Sequence, residues 1–137
     1  HSLVQIQIMW LLINPNWATY ITLPEYWPLQ SDYACLADLA DMLKSSPTSM
    51  STAHVLELMR ESIHANTINQ LMRHVSQYME GFANPSPEDE QGFQDGMQKL
   101  LKELKAQQIQ DLVLKNSTVG LSSDENRLLV ALISDRP

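Results

Sequence analysis

From Glu88 to Lys115 the chain runs for 28 residues without a proline. Its two glycines, Gly92 and Gly96, each cost about 1 kcal/mol relative to alanine, which a long helix tolerates. The stretch opens with Ser86-Pro87-Glu88-Asp89, a hydroxyl N-cap, a proline at the first helical position and carboxylates in the first turn. All three suit the positive end of a helix dipole. The pattern predicts a single helix roughly 40 Å long at about 1.5 Å per residue. It closes at Val119-Gly120-Leu121, where Gly120 takes the left-handed C-terminal position and Leu121 supplies the accompanying apolar contact. Ser122-Ser123-Asp124-Glu125 then caps a second helix, with Glu125 placed to complete a capping box on Ser122. The chain is expected to end in a helical hairpin.

The apolar face of the long helix changes direction along its length. At about 100° per residue, Phe93, Met97, Leu100, Leu101 and Leu104 cluster on one side, whereas Ile109, Leu112 and Val113 centre roughly 130° further round. One helix then serves two partners: its first half faces a bundle made by the preceding residues, and its second half pairs with the terminal helix through Leu128, Leu129, Leu132 and Ile133. A two-helix hairpin cannot bury both of its faces alone, and the apolar surface left over suits another protein.

A length of 137 residues fits one domain with a sizeable core. The 44% apolar content excludes bulk disorder, and no apolar run approaches the roughly 18 residues that span a membrane. A soluble protein is expected. A lone Cys35 excludes an internal disulfide framework and fits a reducing compartment, so the location expected is cytoplasmic. The first residues carry neither a start methionine nor a basic segment, which predicts no signal peptide and makes His1-Ser2 a boundary within a longer parent. The net charge of -7 argues against direct nucleic-acid binding, which rests on neutralising phosphates with lysine and arginine. Lys99, Lys102 and Lys105 share part of the long helix, but Glu103 sits among them, as on a solvated helix face.

The remaining segments also read as helices. Residues 3–13 alternate Val4, Ile6 and Ile8 with glutamines like a strand, but Leu3, Ile6, Trp10 and Ile13 recur at helical spacing and the run stops at Asn14-Pro15. No partner strand is visible elsewhere, so this segment is expected to be a central, mostly buried helix. Pro15 starts a short helix with Trp17 and Tyr20. Residues 22–30 form an irregular connector pinned against the first helix by Tyr26 and Trp27. Ser31-Asp32 is expected to cap a helix to Lys44 with Leu36, Leu39, Ala40 and Leu43 inward and Asp32, Asp38 and Asp41 in water, ending at Ser45-Ser46-Pro47. Two more amphipathic helices follow. One runs from Ser51 or Thr52 to Ser62 with Val55, Leu56 and Met59 inward. The other runs from Thr67 to Glu80 with Ile68, Leu71, Met72, Val75, Tyr78 and Met79 inward, and residues 81–85 form a loop. The fold class is all-α.

Chemistry-bearing clusters are sparse. His54, Glu57 and Glu61 lie on successive turns of one expected helix, yet no second ligand pair accompanies them and Cys35 has no cysteine partner nearby, so no metal site is assigned. No glycine-rich phosphate loop, nucleophile elbow or aspartate cluster of nucleotidyl transfer appears, and no catalytic residue is assigned.

Three stretches carry a resemblance. Ile8 to Ala18 (Ile-Met-Trp-Leu-Leu-Ile-Asn-Pro-Asn-Trp-Ala), His54 to Arg60 (His-Val-Leu-Glu-Leu-Met-Arg) and Gly120 to Glu125 (Gly-Leu-Ser-Ser-Asp-Glu) occur in this order, with a long-helix hairpin at the end. Together they resemble the C-terminal helicase-binding domain of bacterial DnaG-type DNA primase, over most of the chain. The resemblance implies an all-α domain over residues 1–137, with an N-terminal helical bundle (1–105), a long helix and a C-terminal helical hairpin (106–137). It implies docking on the N-terminal domain of the hexameric replicative DNA helicase, with Leu112, Lys115, Leu121, Leu128, Leu129, Leu132 and Ile133 as the contacting set. It implies no cofactor in this chain, the zinc and magnesium of such enzymes belonging to other parts of the parent.

A second partner implied is the acidic C-terminal tail of single-stranded DNA-binding protein, bound on the bundle near Val4, Gln5, Ile8, Gln70 and Arg73. There the sequence departs from the pattern, since Gln5 and Gln70 stand where relatives carry basic residues, and weak or shifted tail binding is expected. Two alternatives remain open from the residues alone: the N-terminal domain of the helicase itself, which has a similar fold, and a helical small-molecule sensor or enzyme domain, which requires a polar pocket in the bundle.

Overall fold

A computed structural model describes residues 1–46, 49–78 and 84–134. Among these, the elements are six α-helices and one 3-10 helix: α1 (Leu3–Ile13), the 3-10 helix (Pro15–Tyr20), α2 (Ser31–Ser45), α3 (Thr52–Met59), α4 (Ala65–Tyr78), α5 (Pro87–Thr118) and α6 (Ser123–Ser134). No strand occurs among the described residues, so the ambiguous first segment is a helix. The chain divides into two compact units, His1–Met97 and Gln98–Pro137. The division falls inside α5.

In the first unit α1 is the centre. Ser2 caps it in a capping box with Gln5, the Gln5 N–H donating to Ser2 Oγ at 3.3 Å and the Ser2 N–H to Gln5 Oε1 at 3.1 Å. The helix packs on α2, α3, α4 and the 3-10 helix. Being surrounded, it buries Val4, Gln7, Ile8, Met9, Leu11 and Leu12 with little regard to face. The inward residues of α2 and α4 are those their spacing predicts: Leu36, Leu39 and Ala40, and Ile68, Leu71 and Val75. The expected Met79 and the Glu80 end of α4, residues 81–83 of the following loop, and the Pro47 stop after α2 lie outside the described residues.

Three local expectations are corrected. Ser31 does not cap α2: Gln30 is the N-cap without a side-chain bond, and Ser31 sits at φ +57 inside the first turn. Asp32 is not a solvated residue but a half-buried one, its carboxylate accepting from Gln5 Nε2 at 3.0 Å. Helix α3 stops at Met59 rather than Ser62, and the turn that follows places Ser62 Oγ as the acceptor for the His64 N–H at 3.1 Å. His64 is buried there with Nε2 2.7 Å from Asp38 Oδ2, joining the start of α4 to α2. Residues 22–30 are irregular as expected, and Trp27 among them is tied to α2. Its indole donates to the Tyr33 carbonyl at 2.7 Å and meets the Tyr33 ring edge-on at 5.5 Å.

Helix α5 enters the first unit through a capping box, Asp89 N–H to Ser86 Oγ at 3.1 Å and Ser86 N–H to Asp89 Oδ2 at 2.9 Å. Its first three turns are then held at three points. Tyr20 donates its hydroxyl to Glu90 Oε1 at 2.5 Å, the Trp17 and Phe93 rings lie 5.2 Å apart, and buried Gln7 donates to the Phe93 carbonyl at 2.7 Å.

Candidate interaction surface

The second unit closes on a short turn whose bonds follow from its sequence. Gly120 has φ +81, a conformation that costs a glycine nothing. This lets the N–H groups of Val119 and Gly120 both donate to the Lys115 carbonyl, at 2.9 and 3.1 Å. Helix α6 then starts with the expected capping box, Glu125 N–H to Ser122 Oγ and Ser122 N–H to Glu125 Oε1, each at 3.1 Å. The second carboxylate oxygen of Glu125 accepts from Lys115 Nζ at 2.7 Å, so one side chain caps α6 and ties it to the end of α5. The Lys115 ammonium and the Ser122 N–H hold the Glu125 carboxyl below the usual carboxylate range.

Of the residues expected to contact a partner, Leu112 and Leu132 are buried, 9% and 4% exposed. They serve the interior and offer little free apolar surface. Leu121 and Leu129 are half-buried, and Leu128 and Ile133 are 37% and 46% exposed. Lys115 is exposed along its chain, but its ammonium is engaged with Glu125. Val113, expected on the inward stripe, is instead 52% exposed, and three further apolar side chains were not expected at the surface: Leu114, Val119 and Val130, from 63% to 77% exposed. Their sequence signal was phase. Leu114 stands about 160° round α5 from Leu112, and Val130 stands about as far round α6 from Leu132, so neither fits the inward stripe.

Charge separates the two units. Residues 1–97 contain three basic and eleven acidic residues, net -8, whereas residues 98–137 contain six and five, net +1. The second unit is therefore nearly neutral and carries the exposed apolar hairpin residues, the composition expected of a docking surface rather than of a nucleic-acid interface.

The residues expected to receive an acidic tail are only partly suited to it. Val4 and Ile8 are 4% and 0% exposed and offer little surface to a peptide. Gln5 is committed to Asp32, while Gln70 and Arg73 are both exposed on α4. An open pocket of about 480 Å³ does lie between the 3-10 helix and the end of α2, lined by Asn16, Ala18, Thr19, Leu43, Lys44 and Met50 among others. Its ionisable lining group is Lys44, whose ammonium donates to the Ile21 carbonyl, and one engaged cation makes no acid–base pair. Buried Cys35 has its thiol pushed up to about 12 by desolvation and by Asp32 and Asp38, which keeps it an inert core group. Among the described residues no three His, Cys, Asp or Glu side chains gather as metal ligands, and no helix is long and apolar enough to cross a membrane.

Residues 4–132 match the family described as DNA primase DnaG DnaB-binding. Two DNA primases of Neisseria meningitidis are similar to the chain: that of serogroup A strain Z2491 is 47% identical over 135 residues, and that of serogroup B strain MC58 is 46% identical over 133. Each alignment takes in 97% of the chain and 22% of the relative, so the chain spans about a fifth of the length of these proteins. The fold is that of the DnaG primase C-terminal domain from Vibrio cholerae, with a TM-score of 0.74, 23% identity and 98% of both chains covered.

Proposed function

The chain belongs to the DnaB-binding family of DNA primase DnaG, and on that premise we propose that its hairpin is the element that docks a primase on the N-terminal domain of the replicative helicase DnaB. Membership with primases sets aside the alternative that the chain is the helicase's own N-terminal domain. The proposed docking couples primer synthesis, carried out by other parts of the parent, to unwinding at the fork.

The observation that carries this reading is the apolar exposure of the second unit. Leu114, Val119, Val130 and Ile133 present 64%, 77%, 63% and 46% of their surfaces to water on a unit with almost no net charge. Apolar side chains that leave water on docking contribute about 25 cal/mol per Å², of which association retains only the surplus over its entropic cost. Sedimentation of the chain with the DnaB hexamer tests it. Val130→Asp and Ile133→Asp are expected to abolish co-sedimentation while the helical circular dichroism signal stays intact. Full binding by both variants would reject the hairpin.

A further inference from the structure

Lys115 was the one cation among the residues expected to touch the helicase. We infer that Lys115 is instead a positioning residue: with Glu125 it forms an internal strut of the hairpin, and what the hairpin offers the helicase is exposed apolar side chains rather than this ammonium. The inference rests on the docking reading above and specifies the chemistry of that site, a partner surface that is apolar and needs no acidic group for Lys115.

Both ends of Lys115 are occupied within the hairpin. Its carbonyl accepts from the Val119 and Gly120 N–H groups, and its ammonium lies 2.7 Å from Glu125 Oε2. Both carboxylate oxygens of Glu125 are occupied too, one by Lys115 and one by the Ser122 N–H at 3.1 Å. A charge-assisted bond of this length is roughly twice as strong as a neutral one. A helicase carboxylate would have to displace a partner that is already in place and already holds the start of α6. The other charged pair on α6, Asp124 with Arg127, is 4.0 Å apart and almost fully in water, and such pairs contribute little. The apolar residues beside these pairs are the part of the surface that gains by leaving water.

Two consequences separate a strut from a contact. A strut couples its two members, so losing either has nearly the effect of losing both. A strut also leaves the salt dependence of association alone, because the Lys115 charge is paired within the hairpin and not across the interface. The experiment uses Lys115→Met, Glu125→Gln and the double variant, each titrated into the DnaB hexamer at low and at high salt. Glutamine keeps the capping-box acceptor while removing the charge. Each single variant is expected to weaken binding by roughly threefold to tenfold, the double variant no further, with the salt slope unchanged. In the free chain, amide exchange at Ser122 and Glu125 should accelerate in both singles. Losses that multiply in the double variant, a salt slope flattened by Lys115→Met, or unchanged exchange at both amides would each overturn the strut. Failure of the unsubstituted chain to bind DnaB would overturn the docking reading as well.

Discussion

The side-chain amide of Gln7 donates to the main-chain carbonyl of Phe93 at 2.7 Å, a bond between residues 86 apart that seats the long helix on the central one. The approach is close because position 96 has no side chain. A Cβ built on Gly96 would stand 2.9 Å from Gln7 Oε1 and 3.0 Å from its Cδ and Nε2.

The two glycines of α5 are therefore expected to respond oppositely to alanine. A Cβ on Gly92 meets nothing within 4 Å, so Gly92→Ala should raise stability by up to about 1 kcal/mol through helix propensity alone. Gly96→Ala should push the Gln7 amide off its acceptor and cost about 1–3 kcal/mol, the penalty of a buried polar group left unmatched. Chemical denaturation of both variants checks the signs, and equal responses would show that Gln7 yields freely.

Phe93 is fully buried beside Trp17, and Phe93→Ala should destabilise the first unit by about 3–5 kcal/mol. Urea titration followed by tryptophan fluorescence measures this, because Trp17 reports on that packing.

Acid should loosen the hairpin through Glu125. Its carboxyl is held below the ordinary range, chiefly by Lys115 and then by Ser122, so the folded value lies under the unfolded one of about 4.3. The stabilisation it contributes is fully present above the unfolded value and is lost as pH falls through the folded value. A carbon-detected NMR titration of Glu125 gives the folded value directly. Glu125→Gln should remove that part of the acid-side loss, and a midpoint at or above the ordinary carboxylate value would contradict the geometry.

The acidic tail of single-stranded DNA-binding protein is expected to bind this domain weakly. The first unit has a net charge of -8, and the Asp32 carboxylate sits 3.0 Å from the Gln5 amide. Gln5→Arg should then pair with Asp32 and leave the tail weakly held, a revision of what the sequence suggested. Gln70→Lys, on exposed α4, should strengthen binding and make it salt-sensitive, and Arg73→Ala should weaken what remains. Peptide anisotropy at two salt concentrations measures all three, and tight binding indifferent to every substitution would place the tail elsewhere.

What could be read from the sequence was local or periodic. The N-cap at Ser86, the capping box at Ser122 and the left-handed Gly120 depend on neighbours within five residues, and the structure carries all three. The inward stripes of α2 and α4 and the centrality of α1 follow from apolar spacing. What escaped was polar and distant: Gln5 with Asp32, Gln7 with Phe93, and His64 with Asp38 are joined by tertiary packing that no spacing rule encodes. Ser31 looked like a cap because serine before aspartate usually is one, and only its φ of +57 shows otherwise. The hairpin itself was legible, but the division of its residues between interior and surface was legible only in part. Leu112 and Leu132 are as apolar as Leu114 and Val130, and only their phase on the helices separates them before burial is known.

Calorimetric titration of the N-terminal domain of DnaB with the chain and with a chain ending at Ser117 tests the docking assignment most directly. The intact chain should bind, and the shortened one should show no heat of binding while retaining the helical signal of residues 1–97. If docking buries Val130 as an anchor, cutting that side chain to alanine in the intact chain should cost at least about 2 kcal/mol of binding. Undiminished affinity in the chain that lacks α6 would contradict the assignment of docking to the hairpin.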